Sequence, residues 1–124
     1  MATVALTEAT FEETIKSNDI VLLDFWAEWC APCRMFGPTF EKSSDANPDI
    51  VHAKIDTEAE QGLAAAAGIT SIPTLMAFRE GVLVFNQPGA LQGSQLQQVV
   101  DAVKALDMDD VRKQIAEQDG AKEA

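Results

Sequence analysis

Basic residues are scarce in this chain of 124: Lys and Arg number 9 against 20 Asp and Glu, and the formal net charge is −11. A sequence-independent hold on nucleic acid needs clustered cations that release counterions, and the few present here are scattered, so nucleic acid is excluded as a partner. The same negative surface repels an anionic membrane and favours solubility. Apolar runs of roughly 20 residues, the length that spans a bilayer, are missing, so no membrane partner is expected. The N-terminal stretch "MATVALTEATFEETIKSND" lacks a basic segment ahead of its apolar residues and carries Glu8, Glu12 and Glu13. It reads as neither a secretory signal nor a transit peptide, and a cytoplasmic protein is expected. Cysteine is almost absent: Cys30 and Cys33 stand alone, too few and too close for the disulfide framework of a secreted domain. Histidine occurs once, at His52.

What is present suffices for one domain. Apolar residues make up 47% of the chain, and its length is short for two domains of ordinary size. Thr10 with Glu13 predicts a capping box, and Phe11 with Ile15 an inward helix face, over about residues 8–17. Residues 20–26, "IVLLDFW", predict a strand buried on both faces. A helix from 34 to about 44 contains Gly37-Pro38 and is expected to be kinked yet continuous. A strand at 50–56 follows, then an alanine-rich helix stopped by Gly68, then a hairpin of 74–78 and 82–86 around Gly81. Ser94 is expected to cap a helix with Leu96, Val99, Val100, Val103 and Leu106 on one face. Strands alternating with helices and ending in a hairpin imply an α/β domain with a mixed sheet. Residues 1–106 form that domain and residues 107–124 an acidic extension, in which Asp107 caps a short helix showing Met108, Val111 and Ile115, with a disordered tail from Gly120.

Two features carry chemistry. Asp24 lies inside the apolar strand, where an ionised carboxylate is costly unless it is paired or takes up a proton; the alternative is an edge strand with Asp24 facing solvent. Six residues on is the Cys30-Ala-Pro-Cys33 pair. As half of a zinc site it lacks partners, since His52 lies on a predicted strand, so no metal is expected. As a staple it closes too short a loop, contributing roughly 2 kcal/mol where a loop of 100 residues contributes about 4.7. As a redox pair the placement fits: the cysteines sit where a strand gives way to a helix, whose free N–H groups and dipole favour a thiolate on Cys30, with Pro32 at an early helical position. Cys30 is then the nucleophile and Cys33 the resolving thiol. Asp24, its pKa raised by desolvation, is the general base that deprotonates Cys33, directly or through one water.

The segments "DFWAEWCAPC" at 24–33, "SIPT" at 71–74 and "PGAL" at 88–91, in this order and spacing, resemble the thioredoxin family over roughly residues 5–106. The resemblance implies the thioredoxin fold, a central mixed sheet of four or five strands with helices on both faces. It implies reduction of disulfides in protein substrates through a redox-active Cys30–Cys33 disulfide, with no bound cofactor and with electrons from an NADPH-dependent flavin enzyme, thioredoxin reductase. It makes Pro73 a cis-proline facing the cysteines, so that the Ile72 backbone pairs with an extended substrate, and it makes Trp29, Ala31, Pro32, Ile72, Gly89 and Ala90 a flat contact surface. Lys54 matches a lysine that tunes the buried carboxylate, and its alternative is a surface lysine on a strand; Trp26 packs beneath the active-site loop. Ala31 stands where the commonest family sequence has glycine, while Phe36-Gly37 and Pro88 also depart from its pattern and bear on substrate preference. Two other functions stay open: a disulfide isomerase or oxidant, which the compartment disfavours, and a redox-silent binding or chaperone module docking through residues 107–118.

Overall fold

The computed structural model describes residues 2–123 and, for 119–123, the backbone alone. Ten elements follow in order: β1 (Thr3–Ala5), α1 (Glu8–Ser17), β2 (Ile20–Trp26), α2 (Ala31–Ala46), β3 (Val51–Asp56), α3 (Gln61–Ala66), β4 (Thr74–Arg79), β5 (Val82–Pro88), α4 (Gly93–Ala105) and α5 (Met108–Glu123). The strands form one sheet in the order β1-β3-β2-β4-β5. β2 pairs in parallel with β3 and antiparallel with β4, so it is central, as its unbroken apolar sequence requires. The sheet has five strands. The spacing of apolar residues assigns none before the first helix, because β1 is too short to show a period and takes its order from pairing with β3.

Alternation along β2 divides the core. Val21, Leu23 and Phe25 pack with Leu6, Ile15 and Ile55, and with Phe11 and Leu63, on the face that α1 and α3 cover. Leu22 packs with Phe36 and Phe40 of α2 and with Leu96, Val100 and Val103 of α4 on the other. Burial of these side chains holds helices on both faces of the sheet. By the period of two, Asp24 shares the face of Leu22 and lies under α2.

Several ends differ from expectation, each for a local reason. α1 starts at Glu8 with Thr7 as its cap, not Thr10: Thr7 is extended, and its amide donates to Thr10 Oγ1 at 3.1 Å. Pro38 does lie inside one continuous α2. α3 is shorter than its alanine content suggests, because Asp56 Oδ1 accepts the amides of Glu58 and Ala59 (2.9 and 3.3 Å) and ties that stretch into a turn. Gln92 rather than Ser94 precedes α4, its amide donating to Gln95 Oε1 at 2.9 Å. The hairpin turns on two residues with positive φ, Glu80 (+53°) and Gly81 (+80°), a turn whose twist matches the paired strands.

Asp107 caps α5 as expected, its Oδ1 accepting the amides of Asp109 and Asp110. Met108 is buried, and Arg112 reaches Glu80 at 3.0 Å, so this helix begins docked on the far end of the β4–β5 hairpin. The helix runs past Gly120 as backbone to Glu123. One glycine costs a helix about 1 kcal/mol, and the good helix formers around it, Ala116, Glu117, Gln118 and Lys122, offset that. No helix among the described residues is long and apolar enough to cross a membrane.

Candidate active site

β2 ends at Trp26, and a tight turn, in which the Cys30 amide donates to the Ala27 carbonyl at 3.2 Å, delivers the chain into α2. Cys30 is the residue that caps this helix: its backbone is extended, and its Sγ accepts the Cys33 amide at 3.2 Å. Pro32 falls in the first turn, where a missing N–H leaves no bond unmade. Cys30 and Cys33 are joined as a disulfide with Cα atoms 5.2 Å apart. In the reduced pair, the amide aimed at Cys30 Sγ and the positive end of the 16-residue α2 favour charge on that sulfur, which makes it the better nucleophile of the two.

The second wall comes from the segment before β4. The Ile72–Pro73 peptide bond is cis, and the Ile72 carbonyl oxygen lies 3.7 Å from Cys30 Sγ. Gly89, at φ +104°, donates its amide to the Pro73 carbonyl at 2.8 Å and ties the end of β5 to the same wall. Trp29, Cys30, Ala31, Pro32 and Ile72 line one groove of about 410 Å³. Buried Pro73 and exposed Gly89 and Ala90 are not among its lining residues. Trp29 is 66% exposed, and its indole N–H donates to Glu58 Oε1 at 2.7 Å, which fixes the ring as a rim of the groove.

Thr57, Ala64, Ile69, Thr70 and Ser71 also line this groove, and residue-by-residue reading did not single them out as site residues. One signal existed for Thr57: it directly follows β3, and crevices in α/β sheets open at the carboxyl ends of parallel strands. Trp26 packs against the cluster of Ala27, Cys30 and Cys33, beneath the loop.

Asp24 is fully buried at the centre of the sheet, not on an edge. Neither of its oxygens has a hydrogen-bond partner, and Lys54, its register partner on β3, holds its Nζ 3.8 Å from Oδ2. Desolvation pushes the carboxyl up to about 7, partly opposed by the Lys54 charge. A group titrating there takes and releases protons at neutral pH. Lys54 is not the simple surface lysine of the alternative reading: its ammonium sits 5.1 Å from the centre of the Trp26 ring and turns inward to the carboxylate. His52 does not join the site. Both its ring nitrogens are engaged elsewhere, by Ser43 Oγ at 2.9 Å and the Ile50 carbonyl at 3.1 Å.

Known proteins resemble this chain in sequence and fold. The family model described as Thioredoxin matches residues 2–102. A Streptomyces coelicolor protein named "Putative thioredoxin 2" is 56% identical over 117 residues, covering 94% of this chain and 87% of the relative. Thioredoxin C-3 of Corynebacterium nephridii is 44% identical, covering 79% of this chain and 68% of its own. Among solved structures, the oxidised mitochondrial thioredoxin 3 of Saccharomyces cerevisiae superposes with a TM-score of 0.74 at 31% identity, over 84% of this chain and 95% of that one. A mutant thioredoxin of Halobacterium salinarum reaches 0.77 at 31% identity, over 85% and 92%.

Proposed function

Because the chain belongs to the thioredoxin family and is a thiol–disulfide oxidoreductase with a redox-active cysteine pair, we propose the following division of labour for its residues. Cys30 attacks a disulfide of a protein substrate: its thiolate forms a bond to one substrate sulfur, the S–S bond breaks, and the other sulfur leaves as a thiolate that takes a proton from solvent. Asp24 then takes the proton of Cys33, whose thiolate attacks Cys30 Sγ. The Cys30–Cys33 bond forms, the bond to substrate breaks, and the substrate departs carrying two electrons. The observation that carries this reading is the Cys33 amide on Cys30 Sγ at the start of α2, beside the groove that Ile72 lines, its carbonyl 3.7 Å from that sulfur.

Trp29, Ala31, Pro32 and Ile72 are the contact surface for an extended substrate, with Pro73 holding the Ile72 carbonyl in place and Gly89 and Ala90 continuing the surface. Support comes from the groove and from the bond between Gly89 and Pro73. Lys54 tunes Asp24. Disulfide-containing proteins are substrates, and a thioredoxin reductase, an NADPH-dependent flavin enzyme, returns the pair to the dithiol. A cytoplasmic location fits a chain whose only two cysteines serve redox chemistry. Residues 1–106 are the catalytic domain and 107–124 an extension, in keeping with a family match that ends at residue 102.

The test is turnover. Reduced protein is expected to cleave insulin disulfides with dithiothreitol as electron source, Cys30→Ser to be inactive, and Cys33→Ser to accumulate the mixed disulfide. Equal mixed-disulfide accumulation by Cys30→Ser and Cys33→Ser would refute the assignment of roles.

A further inference from the structure

The reaction proposed above leaves a proton on a fully buried carboxyl, and a polypeptide seated in the groove covers Cys30 and the residues that line it. The structure offers a second opening. A pocket of about 440 Å³ at the β1–β3 edge is lined by Ala5, Trp26, Lys54, Asp56, Ala59 and Glu60, among others, and shares no lining residue with the Cys30 groove. We propose that Asp24 exchanges its proton with solvent through this side pocket, with Lys54 as the positioning residue that joins pocket to carboxylate.

The geometry is that of a bridge. Lys54 lines the pocket, its side chain is 25% exposed, and its Nζ ends 3.8 Å from Asp24 Oδ2. The Trp26 ring, also in the pocket wall, lies 5.1 Å from the ammonium and holds it in place. Apart from the Lys54 ammonium, neither Asp24 oxygen has a hydrogen-bond partner, so both keep the capacity to bond a water that enters along the lysine. In the exchange the carboxyl O–H bond breaks, its electron pair stays on the carboxylate, and the proton passes to a pocket water and then to a buffer base. The Lys54 ammonium beside the carboxylate offsets the negative charge that forms. The charged groups at hand are Lys54 and Asp56 of β3 and Glu60 ahead of α3; Cys33 of α2 is the titratable thiol, and Leu75, opposite Asp24 on β4, carries none. The route lets the base reset while substrate still occupies the groove.

The inference rests on Asp24 as the base, and the experiment separates the two. Cys30 of the full chain is charged with a cysteine-containing peptide as a mixed disulfide, and release of the peptide by Cys33 is timed as a function of pH and imidazole concentration. Ala5→Phe and Ala59→Phe fill the pocket from exposed positions; Ala5 is the register partner of Lys54 on β1. Each is expected to slow release about tenfold, a part of the ~10²–10⁴ that positioned proton transfer supplies, and to abolish acceleration by imidazole, while the first attack by Cys30 is unchanged. Lys54→Gln should move the rising limb of the pH profile upward, and Lys54→Arg should restore it. If both folded plug variants release peptide at the parent rate with unaltered imidazole dependence, the side-pocket route is wrong. If Asp24→Asn itself releases at the parent rate, the base assignment fails first. Slow release in Asp24→Asn beside normal plug variants overturns only the route. Should Ala5→Phe not fold, Ala59→Phe carries the test.

Discussion

The two ends of α2 each cover a buried titratable side chain on the same face of the sheet, and they treat it in opposite ways. At the far end His52 is 1% exposed and fully engaged: Nδ1–H donates to the Ile50 carbonyl, Nε2 accepts from the Ser43 hydroxyl, and the ring stands edge-on to Phe40. Asn47 extends that network to the Ser43 carbonyl and to Gln97 of α4. At the cysteine end, Asp24 of β2, the register partner of Lys54 two residues beyond His52 on β3, is buried as deeply with no hydrogen bond at all, facing only the Lys54 ammonium. Burial pushes His52 down and Asp24 up, so both favour their neutral forms. The difference teaches which end is structural. A satisfied group locks two helices to the sheet, whereas an unsatisfied one is left ready to take a proton at the expense of stability.

The sharpest test of that contrast is turnover. Cys33→Ser should reduce disulfide cleavage to background and trap the mixed disulfide, while Ser43→Ala at the other end of the helix should leave the rate unchanged; equal losses would erase the distinction. Next comes stability against pH. The folded pKa of Asp24, about 7, stands above its usual 3.8, so the folded state holds the extra proton between these values. The resulting stability is complete below the lower value and is lost as pH rises through the upper one. Asp24→Asn should therefore stabilise the protein at pH 8 by on the order of 4 kcal/mol, at about 1.4 kcal/mol per unit, and hardly at all near pH 4, as read from denaturant midpoints.

A smaller effect is expected at the satisfied end. Asn47→Ala leaves buried acceptors unmet and should cost about 1–3 kcal/mol with no change in the resolving rate. His52 has the opposite sign to Asp24. Its folded pKa is lowered, so the unfolded chain protonates first, and stability present above about pH 6.5 is lost as pH falls below it. His52→Gln should make that acid limb shallower in thermal melts. Least of all, Arg112→Ala removes the exposed ion pair to Glu80 and should shift the melt only slightly, with the shift vanishing at high salt.

Much of the site was legible because its chemistry is local. A cysteine pair at a strand-to-helix junction carries its own helix N-terminus, and a lone Asp in an apolar strand announces its own desolvation. The groove was legible in part: "SIPT" marked Ile72 of its wall through family resemblance, "PGAL" fell outside its lining, and Thr57, Ala64 and Ile69 bear no local sign and reach it only because β3 and α3 end beside it. The same limit explains β1, whose three residues have no period of their own, and the caps, since Thr7 has the same intrinsic preference as Thr10 and at Gln92 reciprocal bonding outweighed the stronger preference of Ser94.

By itself the order of residues determined the α/β alternation, the central place of β2, and the position of a cysteine pair at the start of a helix, since apolar period, turn chemistry and capping act over a few neighbours. Tertiary structure alone decided that Lys54 meets Asp24, that the Ile72 carbonyl meets Cys30, and that a second pocket opens at the β1–β3 edge. Those meetings join residues far apart in the chain, and only the pairing of β2 with β3 and with β4 brings them within reach.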